Sequence, residues 1–84
     1  MRQLIRSGQF KKDVKQGKDM AKLKTMVSLL IEGQDLPLEY HDHSLKGNWV
    51  GYRDAHIEPD RLLVYQIDDE CLKLARTGSH SELF

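Results

Sequence analysis

The spacing of apolar residues changes partway along this chain, and that change limits the fold more than any other feature. From Met20 to Ile31 apolar residues recur at helical spacing, which predicts an amphipathic helix with Asp19 as its N-cap and Gly33 just past its end. The second half is rich in β-branched, aromatic and alternating residues instead. These predict three strands, Trp49–His56, Arg61–Ile67 and Leu72–Thr77. The pattern indicates an α+β domain.

Two shorter elements are predicted before that helix. Leu4–Ile5 lies between polar residues and predicts a short strand. A short helix follows, with Ser7 as its N-cap, Phe10 and Val14 on one face, and Gly17 ending it. The predicted order is therefore β-α-α-β-β-β. A helical hairpin would pack on one face of a mostly antiparallel sheet and leave the other face partly open.

The segments between these elements carry turn and loop signals. Ile57–Asp60, which contains a proline, and the acidic Asp68–Glu70 predict turns that join the three strands into an antiparallel meander. Gln34–Gly47 shows neither periodicity and is predicted to be a surface loop. Ser79 and Glu82 have the spacing of a capping box, which predicts a short helical turn at the C-terminus.

Length and composition exclude several classes of protein. The 84 residues have room for one small domain, which we expect to span residues 1–84. The single cysteine, Cys71, cannot form an intrachain disulfide, and this favours a reducing compartment. The longest apolar stretch is far shorter than the roughly 20 residues of a membrane-spanning helix. We therefore expect a cytoplasmic protein with no membrane partner.

Charge is unevenly distributed although the formal net charge is zero. Residues 1–26 carry a net charge of +6, and the remainder carries −6. A basic segment of this kind either follows a nucleic-acid backbone or forms solvated helix faces, and charge alone leaves both interpretations open. The lysines concerned are Lys11, Lys12, Lys15, Lys18, Lys22 and Lys24.

The four histidines all lie in the second half, at the edges of predicted elements. They are His41, His43, His56 and His80. With Asp60, Arg53 and Arg76 they supply acid/base groups, a carboxylate and fixed cations, which phosphoryl chemistry requires. The same histidines with Asp60 would instead suit a metal site, although their spacing matches no strong zinc signature. Nucleophilic catalysis by Cys71 is disfavoured because its acidic neighbours raise a thiol pKa.

Several segments carry a resemblance to a known family. The segments HSLKGNWVGYRDAHIEPD (43–60), LLVY (62–65) and RTGSHSELF (76–84) resemble the YafQ branch of the RelE/ParE toxin superfamily. Residues 7–14 and 20–24 resemble the same branch, so the resemblance runs over nearly the whole chain.

This resemblance implies the toxin of a bacterial type II toxin-antitoxin pair with a microbial-RNase-like α+β fold. Such a toxin is a ribosome-dependent mRNA endoribonuclease, or mRNA interferase, that enters the ribosomal A site and blocks translation. The implied chemistry is attack of the ribose 2′-OH on the adjacent phosphate, with no metal and no cofactor. The implied partners are a cognate antitoxin, the ribosome with its mRNA, and operator DNA reached through the antitoxin.

The family pattern also implies a set of site residues. The matching positions are His43, His56, Asp60, Arg76, His80 and Phe84. By this pattern His80 is the general acid, and either Asp60 or His43 is the base. Arg76 would stabilise charge on the phosphorane, and His56 would orient or assist. The basic helices would bind the ribosomal RNA backbone through the six lysines.

The resemblance does not define the roles of three residues. Phe84 either stacks on an RNA base or closes the core. Arg61 stands where some relatives carry tryptophan, and it either contacts a phosphate or points away. His41 has no counterpart in the pattern and is expected to be a solvent-exposed loop residue.

Other functions remain as alternatives. One is a catalytically weak domain that binds an antitoxin and co-regulates transcription, which Arg61 makes conceivable. Another is a metal-dependent hydrolase that uses the histidine cluster. A gyrase poison of the same superfamily is disfavoured by His43, His56 and His80.

Overall fold

The structure is a computed structural model that describes residues 2–15, 21–34 and 36–83. Its strands are β1 (Gln3–Arg6), β2 (His43–Ser44), β3 (Arg53–Glu58), β4 (Arg61–Ile67) and β5 (Cys71–Gly78). Its helices are α1 (Gly8–Lys15), α2 (Ala21–Ile31) and α3 (His80–Leu83), with single 3₁₀ turns at Leu38–Tyr40 and Gly47–Trp49. The strands form one sheet in the order β1-β5-β4-β3-β2. Only the β1–β5 pair is parallel among the described strands, so the predicted α+β class is confirmed.

Both long helices begin or end through local interactions that the sequence predicted. The Ser7 hydroxyl accepts a hydrogen bond from the backbone N–H of Phe10 at 2.9 Å, which makes Ser7 the N-cap of α1. Helix α2 ends at Ile31, and Gly33 follows with a φ of +83°, the left-handed conformation that glycine adopts without strain. There the Gln34 N–H donates to the Leu29 carbonyl at 3.0 Å, which satisfies a terminal carbonyl. The predictions for Gly17, Asp19 and Met20 lie outside the described residues.

The helices pack on one face of the sheet, as predicted. Phe10 of α1 and the buried residues of α2 meet alternate residues of β3 and β4 in the main core. The other face also carries an apolar cluster, in which Leu83 of α3 packs with Leu62, Val64 and Ala75. Leu45, Trp49 and Tyr52 flank this second cluster. The face that the sequence left partly open is therefore covered where α3 crosses it.

The segment before β3 departs from the prediction. The strand predicted from Trp49 begins at Arg53, because a 3₁₀ turn forms first. Gly47 and Gly51 take φ values of +66° and +91°, which no strand residue adopts. The predicted loop Gln34–Gly47 contains β2 as well, a two-residue strand that exists because it pairs with β3.

The outer edge of β5 is shared between a strand and a helix. Strand β1 accompanies β5 only as far as Leu74. Beyond that point the Ser7 hydroxyl donates to the Ala75 carbonyl at 2.7 Å, and the Asp13 carboxylate accepts the Thr77 N–H at 3.2 Å. Side chains of α1 and its N-cap thus satisfy backbone groups that an edge strand would leave exposed. None of the helices in the described ranges is long and apolar enough to span a membrane.

Candidate active site

The register of the sheet aligns the predicted site residues in two rows. One row crosses four strands and contains His43, Asp54, Val64 and Arg76. The next row contains His56, Leu62 and Gly78, and His80 follows two residues later. Residues opposite each other on paired strands are immediate neighbours. The pairing therefore gathers His43, His56, Arg76 and His80, which are spread over 38 positions of the sequence, into one region.

A buried carboxylate that the sequence analysis missed lies among the histidines. The Asp54 side chain is 5% exposed, and its Oδ1 lies 3.0 Å from Nδ1 of His43. Burial raises the pKa of this carboxyl above its ordinary value, while the positive charges of His43, His56 and His80 act in the opposite direction. The alternation of residues along this strand could have placed Asp54 on the same face as His56. Asp54 alternates with Ala55 and Ile57, which face the helices, and so shares a strand face with His56.

Two oxygen atoms lie close to one ring nitrogen of His43, and one of them has a hydrogen bond with it. Its Nδ1 lies 3.0 Å from the His41 carbonyl oxygen as well as 3.0 Å from Asp54 Oδ1. The rest of the ring reaches solvent, since the side chain is 56% exposed. This arrangement leaves Nε2 as the nitrogen through which His43 can act on a substrate.

His41 contributes more than the sequence predicted. It is exposed, as expected, but it has a φ of 50° and a ψ of 44°, a left-handed conformation that is uncommon outside glycine. That conformation ends the 3₁₀ turn at Leu38–Tyr40. The His41 ring also meets the His56 ring edge-on, with 5.6 Å between centroids. His41 therefore contacts both predicted catalytic histidines of β2 and β3.

Arg76 is bound by a carboxylate from α1. Its Nε donates to Oδ2 of Asp13 at 3.1 Å, and its Nη2 donates to Oδ1 at 3.2 Å. Burial tends to raise the pKa of Asp13, but hydrogen bonds from Arg76, Gln9 and the Thr77 N–H outweigh burial and lower it. The hydrogen bond to Asp13 in turn raises the pKa of Arg76. Arg76 is thus a cation whose orientation is fixed by Asp13.

His80 is placed by the predicted capping box, which is confirmed. The Ser79 N–H donates to the Glu82 carboxylate at 3.0 Å, and the Glu82 N–H donates to the Ser79 hydroxyl at 3.3 Å. The Ser79 N–H also holds the pKa of Glu82 below its ordinary value. His80 is the first residue of α3 and is exposed.

Asp60 lies away from the His43–Asp54 pair. It sits in the exposed turn between β3 and β4. At the usual rise along a strand, the end of β3 at Glu58 is about 13 Å from Asp54. Because Leu62 is opposite Gly78, Asp60 and His80 each lie two residues past that pair, at the same end of the sheet.

The remaining predicted residues lie around this region or outside the described part. Arg61 lines a small cavity of about 100 Å³ with Asp13, Thr77, Gly78 and Glu82. A larger cavity of about 590 Å³ opens beside the histidines, lined by Lys22, residues 39–41 and residues 56–59. Lysines 11, 12, 15, 22 and 24 are exposed. Lys18 and Phe84 lie outside the described residues.

The described side chains were also compared with the requirements of a metal site. Across residues 2–15, 21–34 and 36–83, no three His, Cys, Asp or Glu side chains are grouped to hold a metal ion. Cys71 is half-buried at the start of β5, on the side of the sheet order opposite β2 and β3.

The fold and the site together define a small α+β protein whose sheet brings three histidines, a buried carboxylate and a paired arginine together. The chain belongs to the YafQ family of bacterial toxins of type II toxin-antitoxin systems, whose family model it matches over residues 2–84. This confirms the resemblance that the sequence motifs indicated.

Individual relatives support the same assignment. The mRNA interferase toxin YafQ of Escherichia coli (strain K12) is 52% identical over 83 residues, which cover 93% of this chain and 90% of that protein. The toxin in the E. coli DinJ-YafQ toxin-antitoxin complex superposes with a TM-score of 0.89 at 50% identity, covering 99% of this chain and 97% of that one. A metal-bound toxin from Helicobacter pylori superposes with a TM-score of 0.89 at 44% identity over the full length of both chains.

Proposed function

We propose that this chain is the toxin of a type II pair and acts as a ribosome-dependent mRNA endoribonuclease that needs no metal or cofactor. The observation that carries the proposal is the grouping of His43, His56 and His80 around buried Asp54, with Arg76 in the same strand row. Relatives that are 52% identical over most of the chain are named mRNA interferase toxins, which supports RNA as the substrate. Residues 1–84 would act as one domain in the cytoplasm.

The proposed reaction breaks one phosphodiester bond by internal attack. A base removes the proton of the ribose 2′-OH, and the 2′ oxygen forms a bond to phosphorus while the bond from phosphorus to the 5′ oxygen breaks. A general acid protonates the leaving oxygen, so the products are a cyclic phosphate and a 5′-OH end. RNA alone carries the required hydroxyl.

The proposed roles follow the positions of the side chains. His80 is the general acid, on an exposed helical turn whose start is fixed by Ser79 and Glu82. Arg76 stabilises the extra charge on the phosphorane, and its pairing with Asp13 keeps the guanidinium oriented. His56 orients or assists from β3, and either His43 or Asp60 is the base.

The proposed partners are an antitoxin, the ribosome carrying mRNA, and operator DNA reached through the antitoxin. A complex of the E. coli relative with its antitoxin supports the first of these. The exposed lysines of α1 and α2 offer a surface for the ribosomal RNA backbone, and Lys18 would add to it. Phe84 would stack on a base or close the core.

Primer extension on an mRNA during induced expression tests the proposal. Wild type is compared with His80→Ala and with Glu32→Ala, an exposed residue just past α2 that serves as a matched control. We expect cuts inside translated codons for wild type and Glu32→Ala, and their loss in His80→Ala. Growth arrest without any cut would contradict the enzyme assignment and favour a binding domain.

A metal-dependent hydrolase is the second candidate, because a metal-bound toxin from H. pylori is among the similar structures. The discriminating measurement is cleavage by purified protein on programmed ribosomes with and without EDTA, with Mg²⁺ held sufficient to keep the ribosomes intact. Cleavage that survives selective chelation of transition metals supports the metal-free reaction. Cleavage that disappears and returns on addition of zinc or copper supports the alternative.

A further inference from the structure

The environment of His43 decides which of its ring nitrogens carries the proton. Two acceptors, the His41 carbonyl oxygen and Asp54 Oδ1, each lie 3.0 Å from Nδ1. The hydrogen bond is made with the His41 carbonyl oxygen, which can only accept, so Nδ1 is the donor. Neutral His43 is therefore held in the form that has its proton on Nδ1 and a free electron pair on Nε2.

Asp54 makes the more unusual of the two contacts with Nδ1. The Asp54 side chain is buried, yet its Oδ1 has no hydrogen-bond partner within the described part of the chain. Buried polar atoms without partners are rare, and those that persist are often found at functional sites. The group that faces Oδ1 is the His43 ring, which becomes a cation when it accepts a proton.

We infer that Asp54 is a positioning residue for His43 and that His43, rather than Asp60, is the base of the cleavage reaction. This inference rests on the proposed function. The His41 carbonyl accepts the hydrogen bond of Nδ1–H and so presents Nε2 of His43 to the substrate. The Asp54 carboxylate faces the same ring nitrogen at 3.0 Å as an ion-pair partner. Asp60 has no comparable arrangement, since it is exposed in the turn beyond β3.

Asp54 stabilises a charge that forms on His43 during the cleavage step. Nε2 of His43 takes the proton of the 2′-OH as the 2′ oxygen bonds to phosphorus. The imidazolium that forms is stabilised by the Asp54 carboxylate, which faces Nδ1 at 3.0 Å and takes up no proton in the step. His80 gives a proton to the 5′ oxygen as its bond to phosphorus breaks. The charge on Asp54 therefore acts mainly in the transition state and not in RNA binding.

Single-turnover cleavage of mRNA on programmed ribosomes tests this inference with Asp54→Asn, His43→Ala and the double variant. We expect Asp54→Asn to lower the maximal rate by about 10²-fold, because the His43 imidazolium loses its facing negative charge, and to change the half-saturating concentration little. In the His43→Ala background the same change should have no further effect. An equal loss in both backgrounds would overturn the inference, because Asp54 would then act independently of His43.

Two further experiments distinguish the general base from Asp60 and from the general acid. Asp60→Asn should lower the rate less than His43→Ala does, and the reverse order would assign the base to Asp60. With an mRNA that carries a bridging 5′-phosphorothiolate at the cut site, the sulfur leaves without an acid. The loss in His80→Ala should then largely disappear, while the losses in His43→Ala and Asp54→Asn persist. Equal recovery of all three variants would contradict the assignment.

Nitrogen-15 NMR of the free protein gives a readout that needs no activity. Above the pH at which the imidazole is neutral, His43 should show the proton on Nδ1. A predominant Nε2–H form would overturn the inference whether or not the protein cleaves RNA. If wild type shows Nδ1–H but no preparation cleaves mRNA, the proposed function fails and so does the assignment of His43 as base.

Discussion

Asp13 holds Arg76 with both of its carboxylate oxygens, at 3.1 Å and 3.2 Å, across 63 positions of sequence. The same carboxylate accepts the Thr77 N–H, at the stretch of β5 that β1 no longer covers. One side chain of α1 therefore closes the edge of the sheet and fixes the cation that we assign to the phosphorane. This couples the packing of α1 to the geometry of the site.

The Asp13–Arg76 pair leads to a prediction on stability. Asp13→Ala should lower the free energy of unfolding by about 1–3 kcal/mol, because it leaves a backbone N–H and a partly buried guanidinium without their acceptor. Urea unfolding followed by circular dichroism measures the change. Gln9→Ala is the matched control, since Gln9 only donates to Asp13 from an exposed position at 3.1 Å, and it should cost less than about 0.5 kcal/mol. Equal stability of Asp13→Ala and wild type would contradict the role of this contact.

Replacing Asp54 should affect stability in the opposite direction. The folded-state pKa of Asp54 is raised by burial, so the folded protein binds this proton more tightly than the unfolded chain does. Its carboxylate therefore reduces stability as pH rises from the ordinary pKa of 3.8 through the raised folded value. Asp54→Asn should have a Tm at or above that of wild type at pH 7, although it loses activity. Calorimetry from pH 7 to pH 3 measures this.

The pH dependence of the Tm difference between Asp54→Asn and wild type shows whether the buried charge causes it. The advantage of Asp54→Asn should shrink as pH falls, because protonation removes the buried charge from wild type. Asp13→Asn provides a control of opposite sign. The pKa of Asp13 is lowered, so its stabilisation is complete above 3.8 and is lost as pH falls through the lower folded value. A uniformly lower Tm for Asp54→Asn at every pH would indicate a purely structural carboxylate.

Replacing His41 by glycine and by alanine measures how much its left-handed backbone conformation lowers stability. At φ 50°, His41→Gly should be more stable than His41→Ala by about 1 kcal/mol, because alanine retains the strain that glycine avoids. Both variants lose the ring that contacts His56, so cleavage should fall in both to a similar extent. Thermal unfolding and the single-turnover rate check the two effects separately. If His41→Ala were as stable as His41→Gly, the left-handed conformation would not be the one adopted in solution.

The exposed lysines of the two long helices should govern the salt dependence of ribosome binding. Charge reversal at Lys11, Lys15 and Lys22 should weaken binding and reduce the slope of log K against log salt concentration, because fewer counterions are released. Sedimentation with ribosomes at several salt concentrations measures both. Lys46→Glu, in the loop before β3, is compared with Lys15→Glu alone as the control for one charge reversal outside the two helices. An unchanged slope in the triple variant would show that these helices do not meet RNA.

The elements that the sequence predicted correctly are those fixed by near neighbours. The Ser7 cap, the Gly33 helix end and the Ser79–Glu82 capping box each depend on groups within five residues, so local spacing was sufficient. The turn after β4 belongs with them, since Asp68 accepts the N–H of Glu70 at 2.8 Å. The late start of β3 was missed because the residues from Trp49 have strand character, whereas two glycines with positive φ impose turns.

By itself, the sequence determined the helical face of α2, the alternating strands, the capped terminal turn and the residue types of the proposed site. Only the tertiary structure decided that His43 forms a strand, that Asp54 lies buried beside it, and that Asp13 binds Arg76. The physical reason is the range of the interactions. Helix periodicity and caps are encoded within a few residues, whereas strand register is set by burial across the sheet, which places distant residues such as His43 and Arg76 in one row.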